Sequence, residues 1–180
     1  ENRRMNKHVE TILQSAIMDR QQLDLIKEPL HIHELIRDVV THHQLQLDEK
    51  QSTTELMLEA KQDVVMANPE HFRNMLSNLV DNAIKYANDG LLLRITTGLS
   101  RGRLQIRVAD NGIGMTKETV KRIFEKFYRA HTGNLHNVKG FGLGLSYVKS
   151  IVDAHGGKIR VESSPGKGSE FILDFPLTQS

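Results

Sequence analysis

Four short segments in the second half of the chain carry side chains suited to holding a nucleotide. They are Asn78-Leu-Val-Asp-Asn82-Ala-Ile-Lys85-Tyr86, Asp110-Asn-Gly-Ile113-Gly114, Phe124-Glu-Lys-Phe127-Tyr-Arg129 and Gly140-Phe-Gly142-Leu143-Gly144-Leu145. Each supplies a different chemistry. An amide oxygen ligates Mg²⁺. A lysine or arginine meets phosphate oxygens. A carboxylate accepts from an exocyclic amine. Glycines at a helix start expose N–H groups where the helix dipole favours anions. Lys139, just before the last segment, adds a charge suited to phosphate.

Each segment has a plainer alternative. On a helix, Asn74, Asn78, Asn82 and Lys85 share one face, with Asp81 at its edge. Asparagine is a poor mid-helix residue because its side chain competes for the backbone. A row of three therefore needs a reason: either a ligand or amide contacts with a neighbouring helix. Asp110 shares strand parity with Leu104, Ile106 and Val108, so it points to the core side at the strand end. A carboxylate there is costly unless paired; the alternative is a turn aspartate capping its own loop. The last glycines are neither a dinucleotide fingerprint nor a Walker loop, and a flexible hinge is their alternative.

The elements that must position these residues follow from periodicity. Asn68 as N-cap and Pro69 in the first turn start a helix running to about Ala87, with Phe72, Met75, Leu76, Leu79, Val80 and Ala83 on its apolar face. Residues 90–99 and 103–110 form a hairpin. Thr116 starts a short helix to about Ile123, and residues 125–141 read as a mobile loop. A helix from Gly142 to His155 stops at Gly156-Gly157. Strands 158–163 and 169–175 close a second hairpin across Pro165-Gly-Lys-Gly168. Upstream, strands are expected at 30–32, 53–58 and 64–67, with one helical pattern over 33–50. The expected fold is α+β: a two-layer sandwich, one mixed sheet covered by helices.

Residues 1–25 read as one helix. Met5, Val9, Ile12 and Ala16 make a short heptad seam, which Leu13 and Ile17 widen. An amphipathic helix packing on its own domain and a dimerisation helix both fit. The expected division is therefore 1–25 as a partial dimerisation helix and 26–180 as the nucleotide-binding domain.

Composition removes other classes. A net charge of +2 gives no broad basic field for nucleic acid, and the absence of cysteine excludes disulfides and thiolate metal sites. A hydrophobic content of 38% fits a domain with a real core. No apolar run is long enough to span a bilayer. The first residue is Glu, so the chain is expected to be a piece of something longer, compatible with a membrane-anchored parent and a cytoplasmic location for this part.

Together the four segments resemble the catalytic ATP-binding domain of bacterial sensor histidine kinases, over about residues 26–180. Gly166-Lys-Gly168-Ser169 resembles that family's last glycine motif. The resemblance implies the fold shared with type II topoisomerases and some chaperone ATPases. It implies that Asn78 and Asn82 lie in the N box, with Asn82 holding Mg²⁺. Lys85 and Tyr86 would contact phosphates and flank base and ribose. Asp110 would bind the adenine amine beside Gly112, Ile113 and Gly114. Phe124 and Phe127 would form the F box, and Arg129 would reach the phosphates. Lys139, Gly140, Gly142 and Gly144 would end an ATP lid, with Leu143 and Leu145 near them. Asn78, Lys85 and Arg129 would form the catalytic set. Topoisomerase-type relatives carry a glutamate base on the N-box helix; the nearest acid here is Asp81, and the F box favours the kinase branch.

The same resemblance implies transfer of the ATP γ-phosphoryl group to a histidine on a dimerisation domain, relay to a response regulator, and a homodimeric parent. None of the nine histidines fits the acceptor motif. His33-Glu34 is closest, but Leu35-Ile36 follow without a proline; His8 lacks the motif. His42-His43 read as surface histidines, since adjacent residues do not share a helix face, and His155 is expected to help end its helix. Residues 1–25 resemble the second dimerisation helix, so the acceptor would lie upstream. Other readings are a nucleotide-binding module without catalysis, a clamp ATPase, and a serine-directed kinase of the anti-sigma type.

Overall fold

Alternation in the strands and a 3.6-residue stripe in the helices build two layers. The computed structural model describes residues 25–129 and 142–178. The elements are β1 (Glu28–His31), α1 (Ile32–His42), α2 (Gln44–Glu49), β2 (Thr53–Leu58), β3 (Val64–Ala67), α3 (Pro69–Lys85), β4 (Leu92–Ser100), β5 (Arg103–Asp110), α4 (Lys117–Arg122), α5 (Gly144–Ala154), β6 (Lys158–Ser163) and β7 (Ser169–Pro176). Five strands form a mixed sheet in the order β2-β4-β5-β7-β6. β2 and β4 are parallel, and the other pairs are antiparallel. The α+β expectation holds, with one correction: β1 and β3 leave the sheet and pair with each other as a separate antiparallel ribbon. Pro29 is tolerated in β1 because that strand has one partner only.

α3 packs between α1 and α5. Its buried residues are Phe72, Met75, Leu76, Leu79, Val80 and Ala83, the apolar face read from periodicity. They meet Leu93 and Ile95 of β4, Leu104, Ile106 and Val108 of β5, and Phe171, Leu173 and Phe175 of β7 in one core. Fully burying side chains of this size contributes about 1.5–3 kcal/mol each. Ile172 breaks the alternation. It is fully buried although its parity places it on the opposite face, in register between Arg107 and Arg160. Long arginine stems cover apolar surface while their heads stay in water.

Caps set the helix ends. The Asn68 side chain accepts from His71 N–H at 3.0 Å, with Pro69 at the first position of α3. That helix ends at Lys85, two residues short of the expected Ala87. α5 runs from Gly144 to Ala154 with His155 as its C-cap, starting two residues later than the expected Gly142. The buried ring donates from Nδ1 to the Ile151 carbonyl at 2.7 Å, and Nε2 accepts from Asn68 N–H at 3.1 Å. One imidazole thus joins the end of α5 to the start of α3. The entering segment is tied at the same corner by Lys27 Nζ to the Ala154 carbonyl at 2.6 Å.

The helical pattern over 33–50 splits into α1 and α2 at His43. This corrects the reading of His42-His43 as a surface pair. His42 is exposed, but His43 is 4% exposed, with Nδ1 2.8 Å from the Val39 carbonyl and Nε2 3.0 Å from Asp81 Oδ1. Turning the ring inward toward α3 takes the backbone out of helical geometry, at φ −93° and ψ 4°. The seam of residues 1–24 lies outside the described residues.

Candidate nucleotide-binding site

The asparagine stripe of α3 divides between its two explanations. Asn74 and Asn78 face α5. The Tyr147 hydroxyl is hydrogen-bonded to the Asn74 side chain, lies 3.0 Å from His71 Nδ1, and is pushed up to about 12 by burial. Asn78 Nδ2 donates to the Asn74 carbonyl at 2.8 Å. Its Oδ1 lies 2.9 Å from the position of a Cβ on Gly144, at the start of α5. Asn82 and Lys85 continue the stripe past that helix start. Contact with α5 thus involves Asn74, through the Tyr147 hydroxyl, and Asn78, against Gly144.

At the C-terminal end of α3, Lys85 is half-buried with its Nζ 5.2 Å from the Tyr86 ring centroid. Burial holds its ammonium below the usual lysine range. The Arg129 charge pushes the same way, and Asp81 opposes both. Tyr86 is pushed up by burial, with Arg129 opposing. Residues from the N and F segments thus share one electrostatic neighbourhood. Two cations set close together are relieved by an anion.

The Asp110 loop closes on the same helix end. Ile113 N–H donates to the Tyr86 carbonyl at 3.2 Å. Gly112 is buried, and a Cβ there would stand 2.6 Å from that carbonyl oxygen, so only glycine lets the loop reach the helix. The Asp110 carboxylate accepts from Gly112 N–H at 2.8 Å and from the Ser169 backbone. Burial raises its pKa, and those two bonds oppose the rise. The expected cost of a core-facing carboxylate is met by backbone donors. A carboxylate can accept about four bonds, so acceptor capacity remains for a ligand amine. The turn-cap alternative is therefore true in part: Asp110 does cap its own loop. Asn111 was given no role of its own from sequence; its amide takes Leu92 N–H at 2.7 Å and gives to Gly90 at 3.1 Å, holding the loop to the neighbouring strand.

The F and glycine segments meet at their inner ends. Phe127 N–H donates to the Gly142 carbonyl at 3.1 Å, with both residues at positive φ (62° and 72°). A bulky residue there is strained. Phe124 is half-buried against the core, while the Phe127 ring is 68% exposed. Leu143 is buried and Leu145 packs on the core, so both hold the start of α5. Lys139 and Gly140 lie outside the described residues.

The β6–β7 turn, read from sequence as a closing hairpin, also backs the Asp110 loop. Gly166 N–H donates to the Ile113 carbonyl at 2.7 Å, and Met115 N–H to Ser163 Oγ at 2.8 Å. A Cβ on Gly168 would fall on the Asp110 carbonyl oxygen, and one on Gly114 on that of Ser164. Ser163 carried no sequence signal beyond a hydroxyl at a strand end.

The donor set fits a magnesium nucleotide. Among the described residues no group of three His, Cys, Asp or Glu gathers to hold a metal alone. Mg²⁺ commonly takes one or two protein oxygens and completes its shell with phosphate and water, so a nucleotide-bound ion needs no carboxylate cluster. No helix among the described residues is long and apolar enough to cross a membrane.

Residues 67–179 match the family described as histidine kinase-, DNA gyrase B-, and HSP90-like ATPase. The chain is 43% identical to the sensor protein RprX of Bacteroides fragilis, over 100% of this chain and 35% of that protein. The crystal structure of full-length ShkA in complex with AMPPNP superimposes with a TM-score of 0.85 at 26% identity, over 98% of this chain and 36% of that one. Histidine kinase ThkA, in complex with the response regulator protein TrrA, gives a TM-score of 0.77 at 25% identity, over 97% and 48%. The chain spans about a third of the length of the curated relatives it matches. The match over residues 67–179, with the 43% identity across the whole chain, places this protein in the histidine kinase-, DNA gyrase B- and HSP90-like ATPase family.

Proposed function

We propose that this chain binds MgATP and is the catalytic part of a sensor histidine kinase, transferring the γ-phosphoryl group to a histidine on a dimerisation domain. The observation that carries the reading is the junction at the end of α3. The loop of the backbone-held carboxylate Asp110 bonds to the Tyr86 carbonyl there, next to Lys85, whose ammonium feels the Arg129 charge. Asp110 would accept from the adenine amine, with Gly112, Ile113 and Gly114 shaping the base pocket and Tyr86 beside it. Asn82 would hold Mg²⁺, which when bound offsets phosphate charge. Lys85 and Arg129 would neutralise the charge that spreads over the transferred group, and the start of α5 would present N–H groups to phosphate. Asn78 would keep that helix start in place. Lys139 and Gly140 would complete the phosphate contacts.

The chain's relatives support the partners: a sensor protein, and a histidine kinase solved with a response regulator. A dimerisation domain within a homodimeric parent and a response regulator are therefore the proposed partners. The cytoplasm, where such a regulator resides, is the proposed location, with a membrane anchor elsewhere in the parent.

The test is calorimetric titration with ADP and a non-hydrolysable ATP analogue, with and without Mg²⁺, on the chain and on Asp110→Asn and Asn82→Ala. Losing hydrogen bonds to a charged group costs about 1.5–3 kcal/mol, so Asp110→Asn should weaken binding about 10- to 100-fold. Asn82→Ala should lose the Mg²⁺ enhancement. Unchanged affinity in both variants defeats the assignment. Transfer of γ-phosphate to a separately supplied dimerisation domain, with an acid-labile product, tests the kinase step. Steady phosphate release without an acceptor favours a clamp ATPase instead.

A further inference from the structure

We propose that Ser163 is a positioning residue for base recognition: its hydroxyl locks the Asp110 loop onto the β6–β7 hairpin and thereby aims the carboxylate. The inference rests on the reading of Asp110 as the group that meets the adenine amine.

The Ser163 hydroxyl is saturated. It donates to the Gly168 carbonyl at 2.7 Å, accepts from Met115 N–H at 2.8 Å, and lies 3.0 Å from Ser169 Oγ. Its single hydrogen is used on Gly168, so Ser169 is the donor in the third contact. One donation and two acceptances fill a hydroxyl's capacity. The atom therefore joins two pieces of backbone that are remote in sequence.

Those pieces determine where Asp110 stands. Met115 is the exit of the loop that begins at Asp110. Its entry is held by the register pairing of Asp110 with Ser169. Its middle is held by Gly166 N–H on the Ile113 carbonyl. Ser163 holds the exit, and through Gly168 it also holds the turn that presses on the Asp110 carbonyl. Gly168 at φ 79° and Gly114 at φ 67° leave no space for a Cβ on either side of the contact. The two turns interlock, and Ser163 is the side chain that fastens them. Without it the Met115 N–H loses its partner, the loop exit relaxes, and Asp110 loses its fixed direction. Phosphate contacts at Lys85 and Arg129 lie on other elements and stay in place.

The prediction is selective, and a ligand pair reads it. ADP and purine riboside 5′-diphosphate differ only by the 6-amino group. Both are titrated with Mg²⁺ into the chain and into Ser163→Ala, after thermal melting has established that each is folded. The chain should prefer ADP by about tenfold, the worth of one such hydrogen bond. Ser163→Ala should bring that preference below about threefold, while affinity for the purine riboside compound changes less than about twofold. Equal weakening of both ligands with the preference retained overturns the proposal, because it marks general damage. No preference in the unmodified chain defeats the reading of Asp110 itself, and the proposal with it. Should Ser163→Ala not fold, Ser163→Cys replaces it. Sulfur fills the site, though it is larger than oxygen, and is a weak acceptor, so the preference should again fall, and an unchanged ratio overturns the proposal.

Discussion

The side-chain oxygen of Asn78 lies 2.9 Å from the point where a Cβ on Gly144 would stand. The N-box helix and the start of the glycine-segment helix therefore touch through an amide and an absent methyl. The obstructing atom is the tip of a side chain, which can move. Gly144 is the first residue of α5, where alanine's advantage over glycine is smaller than the roughly 1 kcal/mol of a helix interior. Gly144→Ala is expected to leave thermal stability unchanged or raised. The displaced Asn78 amide and the crowded helix start should weaken ATP binding, by about tenfold on titration. A variant that loses both stability and binding would place the contact in the core rather than in the site.

Gly168→Ala should behave in the opposite way. Here a Cβ would meet backbone, the Asp110 carbonyl, and φ is 79°. Neither can give cheaply, so a loss of more than about 2 kcal/mol is expected in urea denaturation. Gly166→Ala in the same turn, with φ 75° and open space around it, should cost only the backbone strain, about 1 kcal/mol.

Lys85 supplies a pH test. Burial and Arg129 hold its ammonium below the ordinary 10.5. Phosphate binding favours the charged form, so nucleotide affinity should be highest below the Lys85 pKa and fall as pH rises through it, before 10.5 is reached. Lys85→Arg stays charged throughout and should remove that alkaline fall. An alkaline fall that persists in the variant would mean another group is responsible.

His155 makes a separate prediction about stability. Its Nε2 accepts from Asn68 N–H, so the bonded ring is neutral. Burial lowers its pKa from 6.5, the main opposition being the bond to Ile151. Protons therefore favour the unfolded chain. The contribution is complete above pH 6.5 and is lost as pH falls from there toward the lowered folded value. The urea midpoint should drop between pH 7 and 5, and that component should be missing in His155→Leu. The variant is less stable at pH 7 by about 1–3 kcal/mol, because the Asn68 N–H loses its partner.

His43→Ala is expected to destabilise by about 2–3 kcal/mol, since a buried ring is removed and its bond to Asp81 is lost. Denaturation of the variant against Asp81→Asn and the double variant measures how much of that loss is the pair itself.

Local physics made much of this protein legible in its sequence. The apolar face of α3 followed from a 3.6-residue period, the inward aim of Asp110 from strand parity, and the N-cap at Asn68 from residue type beside a proline. These features depend on neighbours a few residues away. The sequence also carried the nucleotide motifs in order. It left open which asparagines meet another helix, because that depends on where α5 docks: Tyr147 bonds Asn74, and Gly144 lies against Asn78. Local rules also misplaced His43, whose partner Asp81 is 38 residues on, and gave Ser163 no weight, since its hydroxyl gains meaning only when Met115, 48 residues away, is folded against it. Periodicity encodes which side of an element is buried. What each polar group meets there is decided by packing between elements distant in the chain, where hydrogen-bond partners are set by geometry that no local pattern specifies.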